Sequence, residues 1–256
     1  MKNRLQILFQ KPKKNILSIF FTAGYPALED TQKIILHLDA AGVDLLEVGF
    51  PFSDSLVDGP VIQESNQVSL KNGTSLKKLF QQLEGVREKT QIPILLMGYL
   101  NPVLQYGEEK FMQKCADIGI DGFIIPDMPL TYYKKYWETK ATALNLSNIL
   151  LITPETEVKR IREIDQHSTS FIYMVSSNSI TGANKDLGNQ TAYFERINQM
   201  DLQHQRLVGF GIHNKETFKN ACKYSSGAII GSAFIKHLKQ YKTDKASIQK
   251  FIKQFK

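Results

Sequence analysis

The sequence predicts an α/β fold, as a closed barrel of eight parallel strands each followed by a helix. Three observations predict it. Eight short apolar runs, rich in β-branched and aromatic residues, recur along the chain. Segments with helical spacing separate them, and strand–helix alternation builds parallel crossover units. Many of the runs, such as IPILLM and GFIIP, are apolar nearly throughout, which suits strands buried on both faces. An open doubly wound sheet would satisfy the same alternation. Eight repeats in 256 residues favour closure, because such barrels typically need about 250 residues. No GxGxxG follows the first run, so the dinucleotide-binding form of the open sheet lacks its fingerprint. The expectation is therefore a (β/α)8 TIM barrel, and 1–256 reads as a single domain because no linker, low-complexity stretch or charge block divides it.

Residues 3–10 are expected to form a short extra helix covering the barrel's N-terminal end. The first run, 17–23, is followed by helical periodicity over 29–41; the second, 43–49, by a long loop and a helix beginning near Pro60. A periodic segment at 75–89 leads into the third run, 92–99, and another at 108–118 into the fourth, 122–127. Segments 132–146 and 155–166 flank the fifth run, 148–153, and deliver the chain to the sixth, 170–176. The seventh, 206–212, connects through 215–224 to the eighth, 227–233. After it, Ile235, Leu238, Tyr241, Ile248, Phe251, Ile252 and Phe255 recur at roughly helical spacing, so this stretch reads as amphipathic helices.

The formal charge of +7 is concentrated in that stretch, where 236–256 holds seven lysines and one acid, Asp244. Lysines on the outer face of amphipathic helices account for it. A nucleic-acid surface is disfavoured, because no basic–aromatic interleaving or binding motif occurs. Cys115 and Cys222 each sit alone in a helical segment, without metal-ligand or disulfide spacing. The N-terminal residues are basic but have too short an apolar run for a secretory signal, and no stretch approaches bilayer-spanning length. A cytoplasmic protein is the expectation.

Barrels of this kind carry their chemistry at the C-terminal ends of the strands. The second run reads Leu45-Leu46-Glu47-Val48-Gly49, and alternation puts Leu45, Glu47 and Gly49 on one face. A carboxylate there is no routine surface group. Burial disfavours its charged form, so Glu47 should have a raised pKa, as suits a group that donates and accepts protons near neutrality. No run carries a Lys, and the only Arg is Arg206 at an edge, which leaves no obvious buried cation for Glu47. The loop after this run adds Asp54 and Asp58, either of which could instead cap a turn or the helix near Pro60. The seventh and eighth runs end in Gly209-Phe210-Gly211 and Gly231-Ser232, each followed by a helical segment. Glycines admit an anion close to the backbone, and a helix start after the eighth strand is the usual phosphate cradle. The polar segment 176–184 reads as a lid or simply a loop. A Schiff-base aldolase would need a Lys inside the barrel, and the five histidines are scattered without ligand spacing. Metal-free, cofactor-free proton transfer by carboxylates remains.

The segment LEVGFPFSDSLVDGPVIQ, 46–63, closely resembles the signature of the tryptophan synthase alpha family. Supporting matches are FFTAGYP at 20–26, MGYLNPVLQYG at 97–107, IIPDMP at 124–129, ITGA at 180–183 and GFGI at 209–212, so the likeness spans nearly the whole chain. The resemblance implies a lyase that splits indole-3-glycerol phosphate by a retro-aldol step into indole and glyceraldehyde 3-phosphate. It implies Glu47 as the proton carrier and Asp58 as acceptor of the indole N–H. Phe20, Met97, Tyr99, Tyr173 and Phe210 would line the pocket, with Thr181 in the lid. Backbone amides of Gly182, Gly211, Gly231 and Ser232 would hold the phosphate. A beta subunit in an alpha2beta2 heterotetramer would dock near Pro51, Asp54, Asn101, Asp127 and Pro129 and receive the indole. A stand-alone indole-releasing lyase, or a weak catalyst that chiefly activates a beta subunit, are the alternatives. Four positions depart from the family pattern: Ser55 stands for Pro, Val57 for Ala, Ser177 where some members have Arg and Ser179 where Gly is common.

Overall fold

A computed structural model describes residues 2–176 and 187–256, with backbone alone for 187–190. Its strands are β1 (Ile16–Thr22), β2 (Leu45–Gly49), β3 (Ile94–Met97), β4 (Gly122–Ile124), β5 (Ser147–Asn148), β6 (Leu150–Ile152), β7 (Phe171–Val175), β8 (Gln205–Gly209) and β9 (Gly227–Ile230). All pairings are parallel, in the order β5-β4-β3-β2-β1-β9-β8-β7-β6. The two ends of that order adjoin in sequence. Between β5 and β6 lies only Ile149, whose N–H donates to Phe123 O at 3.1 Å. The fifth run is thus one strand broken in the middle, pairing with β4 through its first half and with β7 through its second, and the ring nearly closes around eight positions.

Strand alternation divides the apolar residues into two cores. Ile16, Leu45, Leu95, Phe171, Leu207 and Ile229 point into the barrel. Leu17, Leu46, Ile94, Ile172, Val208 and Ala228 point outward against the helices. The helix Leu76–Leu83 shows how the outer layer is built. Ser75 caps it by accepting from Lys78 N–H at 3.2 Å, and Leu76, Leu79, Phe80 and Leu83 bury one stripe. Each such burial contributes about 1.5–3 kcal/mol.

The short helix Arg4–Leu8 sets Leu5 into the barrel interior, while Phe9 stacks on Phe171, the first residue of β7, at 4.9 Å. This closes the N-terminal end. Asp121, almost wholly buried, ties that end together: it accepts from Arg87 Nη2 at 2.7 Å, from Ile94 N–H at 2.9 Å and from Arg4 Nη1 at 3.4 Å. Burial lowers the Arg87 pKa to about 10, against the opposing pull of Asp121.

Helix boundaries depart from expectation where local chemistry intervenes. The segment 75–89 is a helix to Leu83 and a separate turn, Val86–Glu88, because Gly85 takes a left-handed φ of 69° between them. Segment 132–146 breaks into Leu130–Tyr132, a π-helical turn Tyr133–Trp137 and Glu138–Ala143. The helices Leu100–Tyr106 and Leu187–Asn198 were not anticipated. Tyr241 is half exposed rather than inward, whereas Phe251, Ile252 and Phe255 are buried and all seven lysines of 236–256 are exposed.

Candidate active site

The C-terminal ends of the strands open into a cavity of about 650 Å³. Phe20 from β1, Met97 from β3, Tyr173 from β7 and Phe210 after β8 form apolar walls with Ile229, and Asp58 and Ile62 come in from the loop and helix after β2. Gly211, Gly231 and Ser232 line one side. Eight of the residues singled out from the sequence therefore share one space, with Met97 and Phe210 only partly buried and so facing it.

Glu47 sits opposite Phe20 in the register of β1 and β2, fully buried, without itself lining the cavity. Among the described residues no cation pairs with it. Its Oε1 accepts from Ser18 Oγ at 2.8 Å, and its Oε2 is without a hydrogen-bond partner among the described residues. Loss of water raises its pKa to about 8, the Ser18 hydrogen bond pulling the other way. Neutral and charged forms thus interchange near physiological pH.

Asp58 is a second buried carboxyl, with its pKa raised to about 6 by desolvation and held back by Tyr99 and Asn66 beside it. The helix Pro60–Lys71 is capped by Gly59 without any side-chain bond, so Asp58 is free of the capping duty that its position also suggested. Gln63 Nε2 donates to Asp58 O at 2.9 Å and fastens the loop to that helix. Tyr99 stands outside the cavity wall, its hydroxyl buried next to Asp58 and its ring 5.3 Å from Phe52. Burial pushes the pKa of the Tyr173 hydroxyl well up, and the nearby Glu47 and Asp58 carboxyls add to the shift. A Cβ on Gly209 would run into that hydroxyl, so glycine is what lets Tyr173 occupy its place.

The remaining wall suits an anion. Phe210 and Gly211 both take left-handed backbone, φ 69° and 74°, the former a strain of about 1–2 kcal/mol in a bulky residue. Ser176 Oγ donates to Phe210 O at 2.9 Å and steadies the turn, while the Phe210 ring meets Tyr173 edge to face at 6.5 Å. The helix Ser232–Tyr241 begins at Gly231 with no side-chain cap among the described residues, and Gly231 and Ser232 at its start line the cavity, where a helix N-terminus favours an anion. Thr181, Gly182 and the departures Ser177 and Ser179 lie outside the described residues.

Among the residues expected at a partner surface, Asp54, Asn101, Asp127 and Pro129 are exposed and Pro51 is buried at the base of its loop. Asp127 also accepts from Leu100 N–H at 2.9 Å, capping the helix Leu100–Tyr106 from another loop. Ser55 is buried, but Leu56 and Val57 are 76% and 55% exposed. Sequence reasoning missed Ser18, Ile62, Asn66 and, at the cavity rim, His213, Lys236 and His237. The helical phase of Lys236, four residues after Ser232, was the available signal for the last group. Among the described residues no cluster of His, Cys, Asp and Glu could hold a metal, and no helix is long and apolar enough to cross a membrane.

The family model described as tryptophan synthase alpha chain matches residues 7–256. The tryptophan synthase alpha chain of Parabacteroides distasonis is 53% identical over 255 residues, covering 99% of each chain. That of Christiangramia forsetii is 51% identical over 99% of this chain and 98% of its own. Among solved structures, tryptophan synthase subunit alpha from Legionella pneumophila superposes with a TM-score of 0.90 at 29% identity, over all of this chain and 97% of the other. The tryptophan synthase complex from Pyrococcus furiosus gives 0.86 at 28% identity, covering 96% and 99%.

Proposed function

The chain belongs to the tryptophan synthase alpha chain family, and from that membership we propose that Glu47 and Asp58 carry out its lyase reaction in the cavity above the strands. The reaction is the cleavage of indole-3-glycerol phosphate into indole and glyceraldehyde 3-phosphate, a carbon–carbon bond breakage in tryptophan biosynthesis. Two carboxyls with raised pKa values, Asp58 on the cavity wall and Glu47 buried opposite Phe20, both coupled electrostatically to Tyr173, are the observation that carries the assignment.

Neutral Glu47 gives its proton to indole C3, and ionised Asp58 accepts the N1–H and stabilises the positive charge that spreads to the nitrogen. Glu47, now a carboxylate, takes the proton of the adjacent glycerol hydroxyl. The C–C bond breaks, its electron pair returns to the ring, and the hydroxyl carbon leaves as the aldehyde. Protons balance and Glu47 ends neutral. Burial supports each part, since both carboxyls titrate between about 6 and 8 rather than near their ordinary values. Phe20, Met97 and Phe210 sandwich the flat ring. The amides of Gly211, Gly231 and Ser232 hold the phosphate. Acid–base help is worth roughly 10² to 10⁴ in rate, so phosphate anchoring supplies much of the rest.

The family works with a beta subunit. Docking at the face that bears Leu56, Val57, Asp54, Asn101, Asp127 and Pro129, in an alpha2beta2 assembly of cytoplasmic single-domain alpha chains, would cover two exposed apolar side chains and pass indole on directly. The residue roles are tested by Glu47→Gln and Asp58→Asn, assayed for indole formation. The first should lose all but about a hundredth of turnover. The second should lower turnover more than affinity, and a pure affinity defect would count against Asp58 at N1. Retention of more than about a tenth of activity in Glu47→Gln would remove Glu47 from the proton path.

A further inference from the structure

We propose that Ser18 is a positioning residue for the lyase reaction, holding the Glu47 carboxyl from the closed side of the barrel so that Oε2 is the oxygen that exchanges protons with substrate. The proposal rests on the reading of Glu47 as proton carrier. In the β1–β2 register Ser18 pairs with Leu45 and Phe20 with Glu47, so Ser18 lies one layer nearer the barrel's N-terminal end. Its hydroxyl reaches up to Oε1 at 2.8 Å, with both side chains fully shielded from solvent. The carboxyl oxygen left over, Oε2, has no partner among the described residues, and Phe20, the residue paired with Glu47 in the β1–β2 register, lines the cavity.

The hydrogen bond also selects the proton's seat. In a neutral carboxyl the carbonyl oxygen is the acceptor and the other oxygen carries the hydrogen. A hydroxyl donating to Oε1 makes Oε1 the carbonyl and leaves the acidic proton on Oε2. Packing gives no other reason for serine: the interior residues around it, Ile16, Phe20, Leu45 and Leu95, are apolar, and a buried hydroxyl without a partner would be unfavourable. The same bond favours the charged form of Glu47 and so opposes the effect of burial.

The test compares Ser18→Ala, Ser18→Thr and Glu47→Gln, each in complex with the beta subunit, for kcat, KM and the pH profile of cleavage. Ser18→Ala should lower kcat about tenfold with KM within about twofold, and should move the alkaline limb of the profile up by about one pH unit, because the bond that favours carboxylate is gone. Ser18→Thr, which keeps the hydroxyl, should restore both. A carboxyl-carbon NMR titration of Glu47 in Ser18→Ala should show the same upward shift, which a purely structural defect would not produce. Unchanged or faster turnover with an unmoved limb in Ser18→Ala, while Glu47→Gln is inactive, overturns the positioning role and leaves the Glu47 assignment standing. An active Glu47→Gln removes that assignment and the proposal together.

Discussion

A carboxyl group in the middle of an apolar barrel makes stability depend on pH in a definite sense. The Glu47 pKa rises from its ordinary 4.5 to about 8 on folding, so between those values the native state binds a proton that the unfolded chain has lost. Stability contributed by this group is complete below about pH 4.5 and is lost as pH climbs through about 8. Asp58 acts in the same sense over a lower window, from 3.8 to about 6. Glu47→Gln removes the larger dependence. It should be close to the parent in stability at about pH 4 and more stable by about 2–5 kcal/mol at about pH 8, read from urea unfolding. A difference independent of pH would mean that Glu47 keeps its water in the native state. The buried position that destabilises the charge is the one that prepares the acid, and a stable but inactive variant is the expected signature.

At the scale of elements, the side of the cavity proposed to hold the phosphate is made by a turn and a helix start from separate βα units. Gly211 holds φ 74° next to Phe210 at 69°, and Gly231 opens the helix Ser232–Tyr241 without a side-chain cap. Valine cannot adopt the left-handed backbone without strain, so Gly211→Val should weaken binding of glycerol 3-phosphate by about tenfold or more. Calorimetric titration measures it, and parent-like affinity would put the phosphate elsewhere. The opposite end of the barrel depends on Asp121, which joins Arg87, Arg4 and the start of β3. Asp121→Ala leaves Arg87 partly buried and unpaired and should cost about 3–5 kcal/mol in denaturant unfolding. A loss under about 1 kcal/mol would show that the N-terminal closure does not depend on this ion pair.

At the scale of the whole molecule, the strand-end face carries both the cavity and the exposed Leu56 and Val57, on the loop that also holds Asp58. A partner docked there would order that loop and with it the second carboxyl. Addition of the beta subunit should therefore raise cleavage turnover of a slow isolated chain by shifting the population toward the competent arrangement. A titration of beta subunit followed by turnover and complex formation distinguishes the cases. Tight binding with unchanged turnover would refute activation, and absence of binding would favour a stand-alone lyase.

The sequence by itself determined the barrel, because alternating strands and amphipathic helices are local patterns that survive in one dimension. Eight apolar runs became eight positions around the ring, and Glu47, Asp58, Phe20, Met97 and Phe210, which stand in segments that carry the family resemblance, were legible as candidates. What escaped is what depends on contact between distant segments. The helix Leu100–Tyr106 is capped by Asp127 from another loop, the break at Ile149 arises because its two halves pair with different strands, and Lys236 reaches the cavity rim through helical phase. Ser18 looked like one polar residue in an apolar strand until the β1–β2 register brought it beneath Glu47, 29 positions away. Such partners are chosen by strand register and barrel closure, and only the folded chain decides which side chains share a layer.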